Sequence, residues 1–121
     1  MAAEQNGLRW GFMGTGRIAN VVAADFAIAG LHIQAVGSRH ASSAEAFAQK
    51  HGVADVHGSY EELVANPNVD IVYISTLNYV HCENALLAIN AGKHVLLEKP
   101  FTMDAKQALR IQKAAREKNV F

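Results

Sequence analysis

Cysteine is nearly absent from these 121 residues. The single one, Cys82, excludes an internal disulfide and fits a reducing compartment, so a cytoplasmic protein is expected. Excess charge is missing as well: 11 Lys and Arg offset 11 Asp and Glu, which removes the electrostatic footprint of a nucleic-acid binder and any polybasic membrane patch. The opening MAAEQNG lacks the basic start and apolar run of a signal peptide, and no stretch approaches the roughly 18 apolar residues of a membrane span. His32, His51, His57 and His94 show no metal-ligand spacing with one another or with Cys82. No nucleophile triad, paired carboxylates, internal repeat or Gly/Ser linker is found either, so no domain boundary falls inside the chain.

What the chain does have is half its residues apolar, enough for one core, arranged in two alternating periods. Leu8 to Met13, Leu31 to Gly37, Asp70 to Ser75 and His94 to Leu97 are short Val/Ile/Leu-rich runs that read as strands, the last two continuous enough to be covered on both faces. Ala54 to His57 reads as a short edge strand. Between them lie helical patterns. Ile18, Val22 and Phe26 recur beside Ala19 and Ala23 and stop at Gly30; a second helix, capped by Ser42 or Ser43, ends near Gly52. Ser59 with Glu62 has the form of a capping box for a helix that runs out before Asn66, Pro67 and Asn68. Cys82, Leu86 and Ile89 mark a fourth helix, and Asp104 caps a fifth carrying Ala108, Ile111 and Ala115. Strand and helix alternate throughout, which predicts an α/β fold: a doubly wound parallel sheet in the order 3-2-1-4-5. Asn119-Val120-Phe121 reads as the entry to a truncated sixth strand, as though the chain were a fragment of something longer.

Gly14-Thr15-Gly16-Arg17-Ile18-Ala19 follows the first strand and opens the first helix. Gly14 permits the tight turn, Gly16 lets backbone approach a pyrophosphate, and Ala19 lets helix and strand pack closely. The amides at Thr15, Arg17 and Ile18, with the positive end of the helix dipole, would then face the phosphates. A methyltransferase holding a nucleoside sulfonium is the rival user of such a loop, and normally wants a carboxylate after the second strand. A fold binding NAD likewise places Asp or Glu about 20 residues beyond the loop. None stands between His32 and His40; Ser38, Arg39 and His40 offer hydroxyl, guanidinium and imidazole donors instead, which favours NADP through its 2′-phosphate, with NAD as second choice.

The last strand runs into Glu98, Lys99 and Pro100. Alternation puts Val95, Leu97 and Lys99 on one face and Leu96 and Glu98 on the other. Pro100 cannot extend the ladder and sets the exit of the chain. The carboxyl ends of parallel strands border the ligand crevice, so the lysine is expected beside the cofactor. Cys82 is expected in the core, and Trp10 and Phe12 are expected to pack rather than stack on a base.

From WGFMGTGRIA through STLNYVH and AGKHV to LLEKPF, the chain resembles the Gfo/Idh/MocA (glucose-fructose oxidoreductase, inositol dehydrogenase, rhizopine catabolism) family, and within it the dihydrodiol dehydrogenase branch, which uses NADP. The resemblance implies a Rossmann domain over residues 1–121, without the sheet domain that builds the substrate pocket in such enzymes. It implies hydride transfer between a nicotinamide and a hydroxyl-bearing carbon of a sugar, polyol or cyclic diol, and a homo-oligomer. Lys99 would be the catalytic residue at the reacting oxygen. A lysine ordinarily titrates near ~10.4, so useful proton exchange at neutral pH requires desolvation or neighbouring positive charge. The resemblance also assigns Ser75, Thr76, Asn78, His81 and Glu98 to the cofactor. Leu77 replaces the proline that usually precedes the asparagine, so the turn there departs from the family pattern, and His81 reads equally as a packing or capping residue of its helix. A non-catalytic module that senses or holds the dinucleotide is the alternative.

Overall fold

The computed structural model describes residues 7–77, 80–99 and 104–121. Ten elements alternate: β1 (Trp10–Met13), α1 (Arg17–Ala29), β2 (Ile33–Gly37), α2 (Ala41–His51), β3 (Asp55–His57), α3 (Tyr60–Ala65), β4 (Ile71–Ile74), α4 (His81–Asn90), β5 (His94–Leu97) and α5 (Ala105–Lys118). All neighbouring strands pair in parallel, in the order β3-β2-β1-β4-β5, as the alternation of periods requires. The described helices include none long and apolar enough to cross a membrane.

The helices divide between the two faces. Ala19, Ala23 and Phe26 of α1, with Ala44, Phe47 and Ala48 of α2, pack on Phe12, Val36 and Tyr73 of the sheet. Ile18 is 43% exposed, so the stripe predicted through it actually runs along Ala19, Ala23 and Phe26. Leu63 and Val64 of α3, Cys82, Ala85, Ala88 and Ile89 of α4 and Ile111 of α5 cover the opposite face, on Met13, Ala35, Val72 and Ile74. Aromatic rings knit the first layer: Phe26 stands edge-on to Trp10 at 5.0 Å and to Phe12 at 5.2 Å, and Phe12 also meets Phe47 and Tyr73. Truncating fully buried Phe12 to alanine would cost about 3–5 kcal/mol. Trp10, Phe12 and Cys82 therefore serve the core, as expected.

Local signals account for several boundaries. Ser59 Oγ accepts from the Glu62 amide at 3.1 Å, while the Glu62 carboxylate accepts from the amide of Gly58 rather than from that of Ser59. Asp104 accepts from the Gln107 amide at 2.9 Å and starts α5. Gly30 closes α1, its amide returned to the Ala27 carbonyl. The second helix departs from expectation: it begins two or three residues earlier than a Ser42 or Ser43 cap would allow, with His40 in the capping position and no side-chain cap.

Two strand features also differ. In β2 the register jumps, Trp10 opposing Ile33 but Gly11 opposing Ala35, so Ile33 and Val36 fall on the same face. Strand β5 is an edge, and among the described residues no helix covers its second face: Leu96 is 49% exposed, whereas Val72, Tyr73 and Ile74 of β4 are buried on both faces. The C-terminal residues approach that edge, the Val95 amide donating to the Phe121 carbonyl at 2.9 Å.

Candidate functional site

Parallel pairing puts the carboxyl ends of β1, β2, β4 and β5 on one edge. Met13, Ile74 and Leu97 lie in register, and the ladder continues past them through Ser75 N–H to Met13 O, Glu98 N–H to Ile74 O and Gly14 N–H to Gly37 O. Between these exits opens a cavity of about 470 Å³, lined by Gly14, Thr15, Gly16, Ser38, Arg39, Ser75 and Thr76 among the residues singled out from sequence.

The glycine turn has the geometry its residue types allow. Gly14 sits at φ +110°, where a Cβ would stand 2.9 Å from Ser75 Oγ, so both strain and crowding demand glycine. Gly16 is the N-terminal cap of α1 in extended conformation; a Cβ there would meet nothing within 4 Å, which leaves open space directly above the backbone. Because no side chain caps α1 and no acid occupies its first turn, its leading amides and dipole are available to an anion. Ser75 Oγ is buried with no hydrogen-bond partner among the described residues. A buried orphan hydroxyl beside an open glycine backbone and an uncapped helix start is the arrangement a bound diphosphate nucleotide would complete.

At the far end of the cavity Arg39 is exposed, while Ser38 is buried and its hydroxyl accepts from the His40 amide at 3.4 Å. Tyr60 shares this end. Burial pushes its phenol up, and the positive charge of Arg39 opposes that shift, so the guanidinium is within electrostatic reach of the ring.

The loop after β4 is held from beneath. His81, 1% exposed at the start of α4, donates through Nε2 to the Thr76 carbonyl at 2.9 Å; Asn84, one turn on, donates to Thr76 Oγ1 at 2.6 Å. His81 thus sits under the cavity wall rather than in its lining. Asn78 lies outside the described residues.

Glu98 and Lys99 share the carboxyl edge but not the cavity. Two strand spacings separate β5 from β1, roughly 10 Å. The Glu98 carboxylate accepts from the Tyr73 hydroxyl at 2.5 Å and from the Lys99 amide at 3.2 Å. Burial first, and Glu98 second, push the Tyr73 phenol well above its ordinary range. Glu98 and Tyr73 therefore pin the strand end, and the Lys99 residue is exposed. Arg17, Ile18 and His40 are likewise exposed and outside the cavity lining.

Sequence reasoning missed Tyr60, Glu61, Leu77, Val80, Glu83 and Asn84, which also line the cavity. The capping box at Ser59 could have flagged the first two, because a helix starting after β3 opens on the same edge. Asn84 had a signal too, as a polar residue three positions from His81 on an otherwise apolar stripe.

A family model described as an oxidoreductase family with an NAD-binding Rossmann fold matches residues 8–121. The chain belongs to the Gfo/Idh/MocA family. It is 45% identical to the D-xylose 1-dehydrogenase (NADP(+)) of Hypocrea jecorina over 127 aligned residues, covering 94% of this chain and 32% of that protein. It is 41% identical to the trans-1,2-dihydrobenzene-1,2-diol dehydrogenase of Danio rerio over 121 residues, covering 94% of this chain and 35% of the other. A 3-ketoreductase from Actinomadura kijaniata, solved with TDP-benzene and NADP, superposes with a TM-score of 0.87 at 34% identity, covering 96% of this chain and 37% of that one. The chain thus spans about a third of the length of the Gfo/Idh/MocA relatives it matches.

Proposed function

We propose that this domain binds NADP, with NAD as the weaker ligand, and serves a cytoplasmic oxidoreductase acting on a hydroxyl-bearing carbon of a sugar, polyol or cyclic diol. The observation that carries the reading is the convergence of the glycine turn, the orphan Ser75 hydroxyl and Arg39 on one cavity. In this reading the amides at Thr15, Gly16, Arg17 and Ile18 hold the diphosphate, and Ser38, Arg39 and His40 hold the 2′-phosphate. Ser75, Thr76, Asn78 and His81 form or support the wall on the nicotinamide side, with Glu98 fixing the strand end. When bound, the nicotinamide supplies the hydride acceptor or donor. Lys99 holds or takes the proton of the reacting hydroxyl through Nζ. The names of the relatives, a sugar dehydrogenase and a diol dehydrogenase, support the substrate class.

Parallel calorimetric titrations with NADPH and NADH test the cofactor assignment. NADPH should bind at least ~10-fold more tightly, and equal affinities would remove the case for phosphate recognition at Arg39. A binding module without turnover is the second reading, favoured by the exposure of Lys99 outside the cavity. Lys99→Met, assayed in a chain that includes the substrate-binding part, separates the two: turnover should fall by ~10² to 10⁴ with NADPH affinity intact, whereas full activity would support the module. We propose self-association as well, on the exposed Leu96, Leu109 and Phe121 around the β5 edge; monodisperse light scattering at high concentration would count against it.

A further inference from the structure

A phosphate-binding turn works only if its carbonyl oxygens are engaged elsewhere, since an unpaired carbonyl facing the ligand would repel the anion that the amides attract. In this chain the carbonyls of Thr15 and Gly16 are both taken by one side chain. Asn20 Nδ2 donates to Thr15 O at 3.2 Å and to Gly16 O at 2.8 Å, and the Asn20 backbone amide adds the first helical bond to Gly16 O at 3.1 Å. Two carbonyls can pair only with the amide's NH₂ group, so its oxygen must point the other way. There it meets His51 Nε2 at 2.7 Å. An amide oxygen only accepts, which fixes the imidazole tautomer as the one protonated at Nε2.

His51 is the last residue of α2, 31 positions from Asn20, and its ring lies 4.5 Å from that of Phe47. Phe47 is buried and packs against Phe12 of β1. A continuous path therefore joins the core to the turn: Phe47 supports His51, His51 orients Asn20, and Asn20 holds the two carbonyls. Burial pulls the His51 imidazole below its ordinary value, in keeping with a neutral ring that has a single N–H to give.

We propose that Asn20 and His51 are positioning residues that set the glycine turn for diphosphate binding, a role that rests on the nucleotide reading above. Neither need touch the ligand. Their effect is to keep the Thr15 and Gly16 carbonyls occupied, so that the neighbouring amides are already oriented when an anion arrives and no ordering cost is met on binding. His51 adds direction: without a donor at Nε2, Asn20 is free to rotate its amide, which releases the Thr15 carbonyl and leaves Gly16 O with its helical bond alone.

The test is calorimetric titration of NADPH into four variants of this chain, with urea midpoints and amide hydrogen exchange measured alongside. Asn20→Leu removes the donors without adding charge and should weaken NADPH roughly 10-fold; His51→Phe keeps the ring packing and should weaken it ~3- to 10-fold. His51→Gln retains an N–H for Asn20 and should restore affinity to within about twofold of the parent. At saturating NADPH, protection of the Thr15 to Ile18 amides should be lower in the first two variants than in the parent while the amides of β1 and β4 stay protected, a local change that general destabilisation would not produce. Gly16→Val is the control for the underlying reading. If it blocks NADPH while Asn20→Leu and His51→Phe bind within twofold of the parent, the positioning role is overturned and the nucleotide site stands. If Gly16→Val binds normally, or the parent chain binds no NADPH, the site itself is wrong and the positioning role goes with it. Equal weakening in His51→Phe and His51→Gln would also overturn the relay, since it would tie the effect to the ring and not to the donor.

Discussion

Two hollows of comparable size differ in almost everything else. One, about 600 Å³, lies between β5 and α5 and is lined by Ile89, Val95, Leu97, Leu109, Ile111 and Phe121, with hardly a polar group among them. The other, about 470 Å³, opens at the carboxyl edge of the sheet and gathers glycine backbone, five hydroxyl residues, a guanidinium and a helix start. Size and apolarity favour the first as a place to bury something; only the second has groups that converge on a particular ligand. The contrast follows from the topology. In the interior of the sheet, loops from three adjacent strands face one another, whereas at the β5 edge a half-covered strand and a helix with a single buried residue leave apolar surface exposed.

If that distinction is right, substitutions in the two hollows should have separable effects. The largest is expected from Gly16→Val. A Cβ there meets no protein atom within 4 Å and the backbone is already extended, so the urea midpoint should hardly move while NADPH affinity falls at least ~100-fold in a calorimetric titration; unchanged binding would erase the difference between the hollows. Arg39→Ala should weaken NADPH by roughly 10- to 100-fold and NADH by less than twofold, because only the 2′-phosphate gains charge-assisted bonds from the guanidinium. Glu61, a carboxylate lining the same cavity, gives the opposing result a structural basis: equal loss of both nucleotides would mean that this end reads ribose and base instead.

A smaller effect is expected at the other end of the sheet. Asp70 accepts from the Arg9 guanidinium at 3.0 and 2.9 Å and from the Arg9 amide at 2.8 Å, which holds its carboxyl below the usual carboxylate range. Since the folded value is depressed, the stabilisation is complete above the unfolded carboxylate value near ~4 and is lost as pH falls through the lower folded value. Arg9→Gln should therefore flatten the acid limb of the urea midpoint against pH without altering NADPH affinity near neutrality. The smallest change belongs to the apolar hollow. Leu109 is 63% exposed, so Leu109→Asn should shift stability by less than ~0.5 kcal/mol and leave nucleotide titrations superimposable, while reducing light scattering at high concentration.

Much of this was readable before any coordinates. The caps at Ser59 and Asp104, the stop at Gly30 and the special turn at Gly14 are local effects, carried by residues within four positions of one another. What sequence did not give has a different character. The register jump in β2 arises from pairing with β1, and the exposure of Leu96 arises from what lies two strands away; neither neighbour is encoded in the segment itself. The first helix stripe shifted by one residue, because Ile18 and Ala19 are both apolar and only packing against the sheet selects between them.

The candidate site divides along the same line. Its glycines, Ser38 and Arg39 could be named from residue type and spacing, as could Lys99 from its strand and its motif. Tyr60, Glu61 and Asn84 entered only when the sheet brought their helices to one edge, and Asn20 with His51 only when α1 and α2 packed side by side. The order of periods along the chain dictated a parallel sheet and the turn that follows its first strand, because hydrophobic spacing and glycine geometry act over a few residues. Which distant side chains meet around that turn was decided by tertiary packing, because the hydrogen bonds and buried contacts that join them exist only once separate segments lie within a few ångströms of each other.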